Sequence, residues 1–258
     1  MTRLPDELIA FWRALDEQLD RVSPTPWGAV VSDARFPSIW DANYARVDGR
    51  VENLRLRDVE EALVPELERV GGSTFHVVSF LPEETGELFA ELSGLGHVLS
   101  WDVAMRFEGA PGRDPSVIRV EPIRPGPELR AAVAATFPLF EIADPEVIRQ
   151  LSAIEDLLVE RGAKRWFGVR DEGAWASVAA LVELAGVAYV DNVATLPRAR
   201  GRGYASAVTA HLRDEALTAG ARAVYLLAEP AGPIALYARL GFREIGRIGS
   251  TRGPIPGR

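Results

Sequence analysis

The chain has 258 residues, is 47% hydrophobic and 26% charged, and carries a formal net charge of −8. That composition belongs to a globular protein of one large or two medium domains, and an acidic body argues against a nucleic-acid binder, which carries a broad basic face. The absence of cysteine removes disulfides, thiolate metal sites and cysteine nucleophiles together.

In chain order, Met1 to Glu7 is charged and lacks the apolar core of a signal peptide. Leu8 to Leu19 reads as an amphipathic helix, Trp27 to Val31 as a short strand, and Val59 to Val70 as a helix. Between them, Phe36 to Tyr44 is a dense aromatic patch, expected in a core. Phe75 to Leu81 is a strand, Thr85 to Ser93 a helix and Val98 to Phe107 a strand. Glu108 to Pro115 is polar and rich in breakers, and reads as a linker. Past it, Val117 to Ile123 is a strand, and helices cover Glu128 to Thr136 and Pro145 to Arg161. Strands follow over Arg165 to Arg170 and Ala174 to Leu184, joined by the hairpin signal Asp171-Glu172-Gly173. Val187 to Thr195 is the next strand, and a helix begins at Tyr204. Ala223 to Leu227, Ile234 to Leu240 and Phe242 to Ile248 close the series as strand, helix and strand. No apolar run reaches the roughly 18 residues of a membrane span, so a cytoplasmic protein with no membrane partner is expected.

These elements predict an α/β (α+β) protein with a mixed, mostly antiparallel sheet flanked by helices. Two domains are expected, 1–110 and 116–258. The run Phe75 to Leu81, Leu88 to Gly96 and a strand resembles Val224 to Leu227, Leu236 to Phe242 and a strand: both read strand, helix, glycine, strand. The halves are therefore read as related domains in tandem, the first a degenerate copy. Only the second contains a glycine-arginine loop, so the first is expected to be non-catalytic.

That loop, Leu196-Pro-Arg-Ala-Arg-Gly-Arg-Gly-Tyr-Ala205, links a strand to a helix N-terminus. Glycines let backbone N–H groups converge on phosphate, and the helix dipole adds partial positive charge. Arg198, Arg200 and Arg202 add permanent cations. A nucleoside triphosphate loop needs a lysine after its last glycine, and the only lysine is the distant Lys164. A dinucleotide loop needs a third glycine and an acid about 20 residues on; Ser206 fills the glycine place and Glu229 comes late.

Arg198-Ala-Arg-Gly201-Arg-Gly203 resembles the Arg/Gln-x-x-Gly-x-Gly/Ala signature of GCN5-related N-acetyltransferases. Leu236-Tyr237-Ala-Arg-Leu-Gly241-Phe242 resembles that family's Leu-Tyr-x-x-x-Gly-Phe landmark, and the likeness spans Ser116 to Thr251. The resemblance implies a sheet splayed between its fourth and fifth strands, where acetyl-CoA inserts; separately, the three histidines form no ligand cluster in the sequence, so no metal is expected. The resemblance implies that backbone amides from Arg198 through Tyr204 to Ala205 hold the pyrophosphate. Gly201 and Gly203 would admit the phosphate where a side chain would collide. It also implies that Val193, Ala194 and Thr195 present an open strand edge to the pantetheine, with an N–H near Val193 polarising the thioester. Tyr237 would be the general acid for the departing thiolate. Where the family often carries Asn and Ala ahead of this tyrosine, the chain has Pro230 and Pro233, and Tyr225 stands where some members carry a glutamate base.

The base is therefore open between Asp191, which strand alternation would place on the face of Val193 and Thr195, and Glu229. Phe140 and Glu141, between the first two helices of this half, are candidates for binding a cationic amine; Asp144 is read as the cap of the helix that follows. His76, His97 and His211 are expected to be structural. The expected activity is acetyl transfer from acetyl-CoA to a primary amine of a small molecule or peptide, by direct attack in a ternary complex. A non-catalytic acyl-CoA-sensing module is the alternative, and monomer and homodimer both stay open.

Overall fold

The computed structural model describes residues 3–49, 52, 54–109, 118–230 and 232–257. The chain divides into two compact units, Met1–Val103 with Gly246–Arg258, and Ala104–Ile245. The changeovers fall inside two strands. The expected linker at 108–115 lies largely in 110–117, outside the described residues, as does the start of the strand expected from Val117.

The first unit begins with α1 (Asp6–Asp16), β1 (Arg21–Thr25), β2 (Gly28–Ser32) and β3 (Tyr44–Val47), continues with α2 (Leu56–Val70), β4 (Thr74–Ser79) and α3 (Gly86–Gly94), and enters β5 (Val98–Phe107). Its sheet takes its last strand from the end of the chain, in the order β1-β2-β3-β4-β11, where β11 is Phe242–Pro254. Gly249 to Pro254 pairs antiparallel with Ser79 to Thr74. The sequence reading ended this strand at Ile248, before the part that completes the first unit. α2 buries Val59, Leu63, Leu67 and Val70 along one stripe, and the first three pack with Phe75, Val77, Leu88, Leu92 and Ile255. Phe36, Ile39 and Tyr44 of the aromatic patch are buried. The Asn43 side chain ties that segment by donating to the carbonyls of Phe36 (2.8 Å) and Ile39 (3.0 Å). His76 and His97 contact the carbonyls of Thr251 (2.8 Å) and Pro254 (2.9 Å), fastening the final strand.

Two strands escaped the sequence pattern. β1 carries Pro24, tolerated because β1 is an edge strand. β3 is buried on both faces, so it shows no alternation; its Arg46 is paired with Asp16 and Asp48.

The second unit holds β6 (Glu121–Ile123), α4 (Pro127–Thr136), α5 (Pro145–Glu160), β7 (Lys164–Asp171), β8 (Ala174–Leu184), β9 (Val187–Thr195), α6 (Tyr204–Thr218), β10 (Ala223–Ala228) and α7 (Ile234–Arg239). Its strand order is β10-β9-β8-β7-β6. β6 to β9 form an antiparallel meander, and β10 returns parallel to β9 across α6. Both hairpins turn on two residues of positive φ, Glu172-Gly173 (51°, 81°) and Ala185-Gly186 (51°, 73°), as two-residue loops require. Ile123, Leu129, Val133, Phe137, Trp166 and Ala180 form a core on one face of the sheet. On the other, His211 of α6 meets Phe167 edge-on at 5.2 Å.

Both units place an antiparallel strand pair, a parallel return across a helix, a short helix and a long strand in that order: β2-β3-α2-β4-α3-β5 and β8-β9-α6-β10-α7-β11. The fold is a mixed, mostly antiparallel sheet flanked by helices, with related units in tandem.

Gly241 shows how tightly the second unit is built. Its φ is +92°, and a Cβ there would lie 2.7 Å from the Phe107 ring. Gly241→Ala is therefore expected to destabilise the protein by about 1–3 kcal/mol, read as a drop in unfolding midpoint in urea. An unchanged midpoint would show that Phe107 yields without cost.

Candidate active site

The N–H of Leu196 donates to the carbonyl of Ala176 in β8. Alternation then turns the backbone of Thr195, and of Val193 two residues earlier, away from β8 and toward the side of β10. β10 does not meet them. The parallel register runs from Ala223↔Val187 to Leu226↔Val190 and stops. Asp191 to Thr195 thus presents an open backbone edge. In the first unit, the equivalent pairing of β3 with β4 runs to Val47↔Ser79, the last residue of β3, and the Phe80 N–H adds a bond to Val47. No such gap opens there.

β9 also carries a bulge. Val178 faces Ala194 while Ala180 faces Asp191, so Asn192 and Val193 lie opposite Ala179 alone. Asn192 has a φ of +51°. The extra residue corrects the expected alternation: Asp191 shares a face with Ala194 and Tyr189, and not with Thr195. Cross-strand partners extend that face to Trp166 and Lys164. Asp191 there accepts from Lys164 Nζ at 2.8 Å and from the Asn192 N–H at 2.8 Å. Lys164 also donates to Glu155 of α5, and the Trp166 indole donates to Glu155 at 2.9 Å. Burial acts to lower the Lys164 ammonium, but Asp191 and Glu155 outweigh it and hold it above its ordinary value. Burial pushes the Glu155 carboxyl up. Lys164, Glu155 and Asn192 were not singled out in the sequence; a lone lysine two residues from a core tryptophan on one strand face was the available signal.

The glycine-arginine segment begins with a 3-10 turn, Pro197–Ala199, and ends at α6. Gly201 and Gly203 have φ of +78° and +80°. A Cβ at Gly201 would meet nothing within 4 Å, and one at Gly203 only the Ile118 side chain at 3.6 Å. The protein therefore demands glycine there for its backbone angle, and leaves the space above open. Among the described residues, no acceptor takes the N–H groups of Gly201 to Ser206; the first bond of α6 runs from Ala207 to Gly203. Arg202 ion-pairs with Asp171 at 2.7 Å. Arg200 Nε lies 3.4 Å from the Thr195 carbonyl, and Arg198 has no partner among the described residues.

Tyr237 lies on α7, its ring buried and set edge-on to Phe242 at 6.3 Å. Burial pushes its hydroxyl up to about 12, so it keeps its proton at neutral pH. Glu229 is exposed just past β10. Phe140 is exposed beside Phe137, and Glu141 is exposed in a left-handed turn (φ 61°). Asp144 caps α5 through the Glu146 and Val147 N–H groups. Among the described residues, no cluster of His, Cys, Asp or Glu is arranged to hold a metal ion, and no helix is long and apolar enough to cross a membrane.

The family model described as "Acetyltransferase (GNAT) family" matches residues 129–242. Those residues form an acetyltransferase domain of the GNAT family. Among solved structures, a GCN5-related N-acetyltransferase from Kribbella flavida is 17% identical, with a TM-score of 0.67 over 98% of this chain and 96% of that one. A conserved protein of unknown function from Staphylococcus epidermidis is 11% identical, with a TM-score of 0.67 over 91% and 94%. A GCN5-related N-acetyltransferase-like protein from Streptococcus suis is 15% identical, with a TM-score of 0.61 over 94% and 92%. These similarities show that the fold extends over nearly the whole chain. Among proteins of curated function, none matches.

The raised Tyr237 value fixes the sign of one pH effect. An unfolded tyrosine ionises near 10, so the buried hydroxyl stabilises the fold fully below that pH and progressively less between 10 and about 12. Urea titrations from pH 9 to 12 are expected to show a shallower loss of stability in Tyr237→Phe than in the unsubstituted protein. Parallel curves would contradict the assigned burial.

Proposed function

We propose that the protein is an acetyl-CoA-dependent N-acetyltransferase that acetylates a primary amine of a small molecule or peptide by direct attack. The reading rests most on one observation: the open edge of β9 runs into six consecutive N–H groups, Gly201 to Ser206, that have no acceptor among the described residues. An open strand edge suits the amides of a pantetheine arm. A helix N-terminus of unpaired N–H groups suits its pyrophosphate. Among the described residues, Arg198 is the loop arginine without a partner, and so is free to reach phosphate. Arg202 does so only by leaving Asp171, and Arg200 only by leaving Thr195.

The amine nitrogen attacks the thioester carbonyl while the Val193 N–H stabilises the oxyanion. The carbon–sulfur bond then breaks, Tyr237 gives its proton to the thiolate, and solvent returns one to Tyr237. The ammonium proton leaves to a carboxylate or through water. Glu229 is unencumbered for this step, whereas both oxygens of Asp191 already accept hydrogen bonds from the protein. Phe140 and Glu141 offer an aromatic and an acidic side chain for a cationic acceptor.

Turnover over a panel of amines, followed by thiol release and loss of free amine, tests the activity. CoA binding with no turnover on any amine would favour a sensing module. Gly203→Val is expected to abolish the thermal stabilisation given by CoA while the fold persists, because valine resists the left-handed angle at a cost of about 1–3 kcal/mol. Retained stabilisation would remove the loop from the site. Tyr237→Phe is expected to bind CoA normally and lose about 10²-fold or more in kcat; full activity would remove Tyr237 as the acid.

A further inference from the structure

We propose that Lys164 is a positioning residue for acyl transfer: it holds Asp191, and Asp191 holds the left-handed turn at Asn192 that sets the Val193 N–H on the open edge of β9. The role rests on the function proposed above. It is carried by a continuous chain of contacts within the second unit.

The chain starts at the Trp166 indole, which donates to Glu155 Oε2 at 2.9 Å. Lys164 Nζ bridges Glu155 Oε1 at 2.9 Å and Asp191 Oδ2 at 2.8 Å. Asp191 Oδ1 then accepts the Asn192 N–H at 2.8 Å, and Oδ2 accepts the Asn192 side-chain amide at 3.2 Å. Asn192 is the residue with φ +51° at the bulge, and Val193 follows it. An asparagine tolerates that angle better than most residues, yet the angle persists only where neighbours hold it.

Stability alone does not account for this arrangement. The Lys164 side chain is 3% exposed and Glu155 5%, while Asp191 is 28% exposed at the rim. Two carboxylates share one ammonium, and burial pushes the Glu155 carboxyl up. A buried ion network of this kind is commonly no more stabilising than apolar side chains of the same volume. Apolar side chains, however, cannot reach out of a core and fix a backbone N–H. The network does so at Asn192, one residue before the Val193 N–H whose direction matters for the reaction. The Lys164 ammonium also lies 5.2 Å from the centre of the Trp166 ring, which limits its freedom to swing away.

The test uses the full chain and two variants, read by amide hydrogen exchange and by steady-state kinetics. Lys164→Met removes the anchor. Asp191→Ala removes the link but leaves Lys164 paired with Glu155, so it carries the test if the first variant does not fold. In each, exchange at Asn192 is expected to accelerate tenfold or more, while Gly201 to Ser206 exchange as before. The kcat is expected to fall tenfold or more, CoA affinity to stay within twofold, and the limbs of the pH–rate profile to keep their positions. Unchanged exchange at Asn192, or unchanged kcat in a folded variant, overturns the proposal. Loss of the acidic limb in Asp191→Ala also overturns it, since Asp191 would then be the base itself. Exchange needs no turnover, so it reports on the strut alone; an unsubstituted protein that acetylates no amine would sink the functional reading, and with it this role, separately.

Discussion

The parallel pairing of β9 with β10 stops at Val190 and Leu226, and the second unit is organised around the backbone groups this leaves open. Backbone N–H and C=O groups seldom go unpaired inside a fold, and an open strand edge invites another strand-like partner. Here the edge is short, and it leads directly to a loop whose own N–H groups are also unpaired. Two separate deficits therefore point to one extended ligand. One end of it must offer amide-like hydrogen bonding and the other must carry negative charge. Coenzyme A has that composition, which is why the proposed function follows from the gap more than from any single side chain.

The side chains around the gap divide by what they are free to do. Lys164, Glu155 and Asp191 are committed to one another, and Arg202 is committed to Asp171. Tyr237 is held by its ring, with a proton that burial keeps in place. Glu229 and Arg198 are uncommitted among the described residues. In the first unit β3 and β4 stay paired to the end of β3, so the same order of elements builds a sheet there without an opening. Unit 1 is instead tied together by its buried Arg46 pairs and by the final strand of the chain, fastened through His76 and His97.

Much of this was legible in the amino-acid sequence. The glycine loop and the tyrosine motif announce themselves by spacing, and the long strands Ala174–Leu184 and Val187–Thr195 by their apolar runs. The cap at Asp144 follows from its place before Pro145. What escaped detection did so for local reasons. β3 has a buried arginine in place of an alternating pattern, and β1 contains a proline. The bulge at Asn192 leaves no mark in the hydrophobic period, and it moved Asp191 to the other face. Lys164 looks like any lysine until its two carboxylates, nine and twenty-seven residues away, fold against it.

Titrating CoA into isotopically labelled protein, and following backbone amide resonances, tests the central claim most directly. Binding at the gap predicts large shifts and slowed exchange at Gly201 to Ser206 and at Val193 and Thr195, with the amides of β3 and β4 unmoved. Saturating CoA that leaves Gly201 to Ser206 and Thr195 unperturbed, or that perturbs the first unit instead, would contradict it.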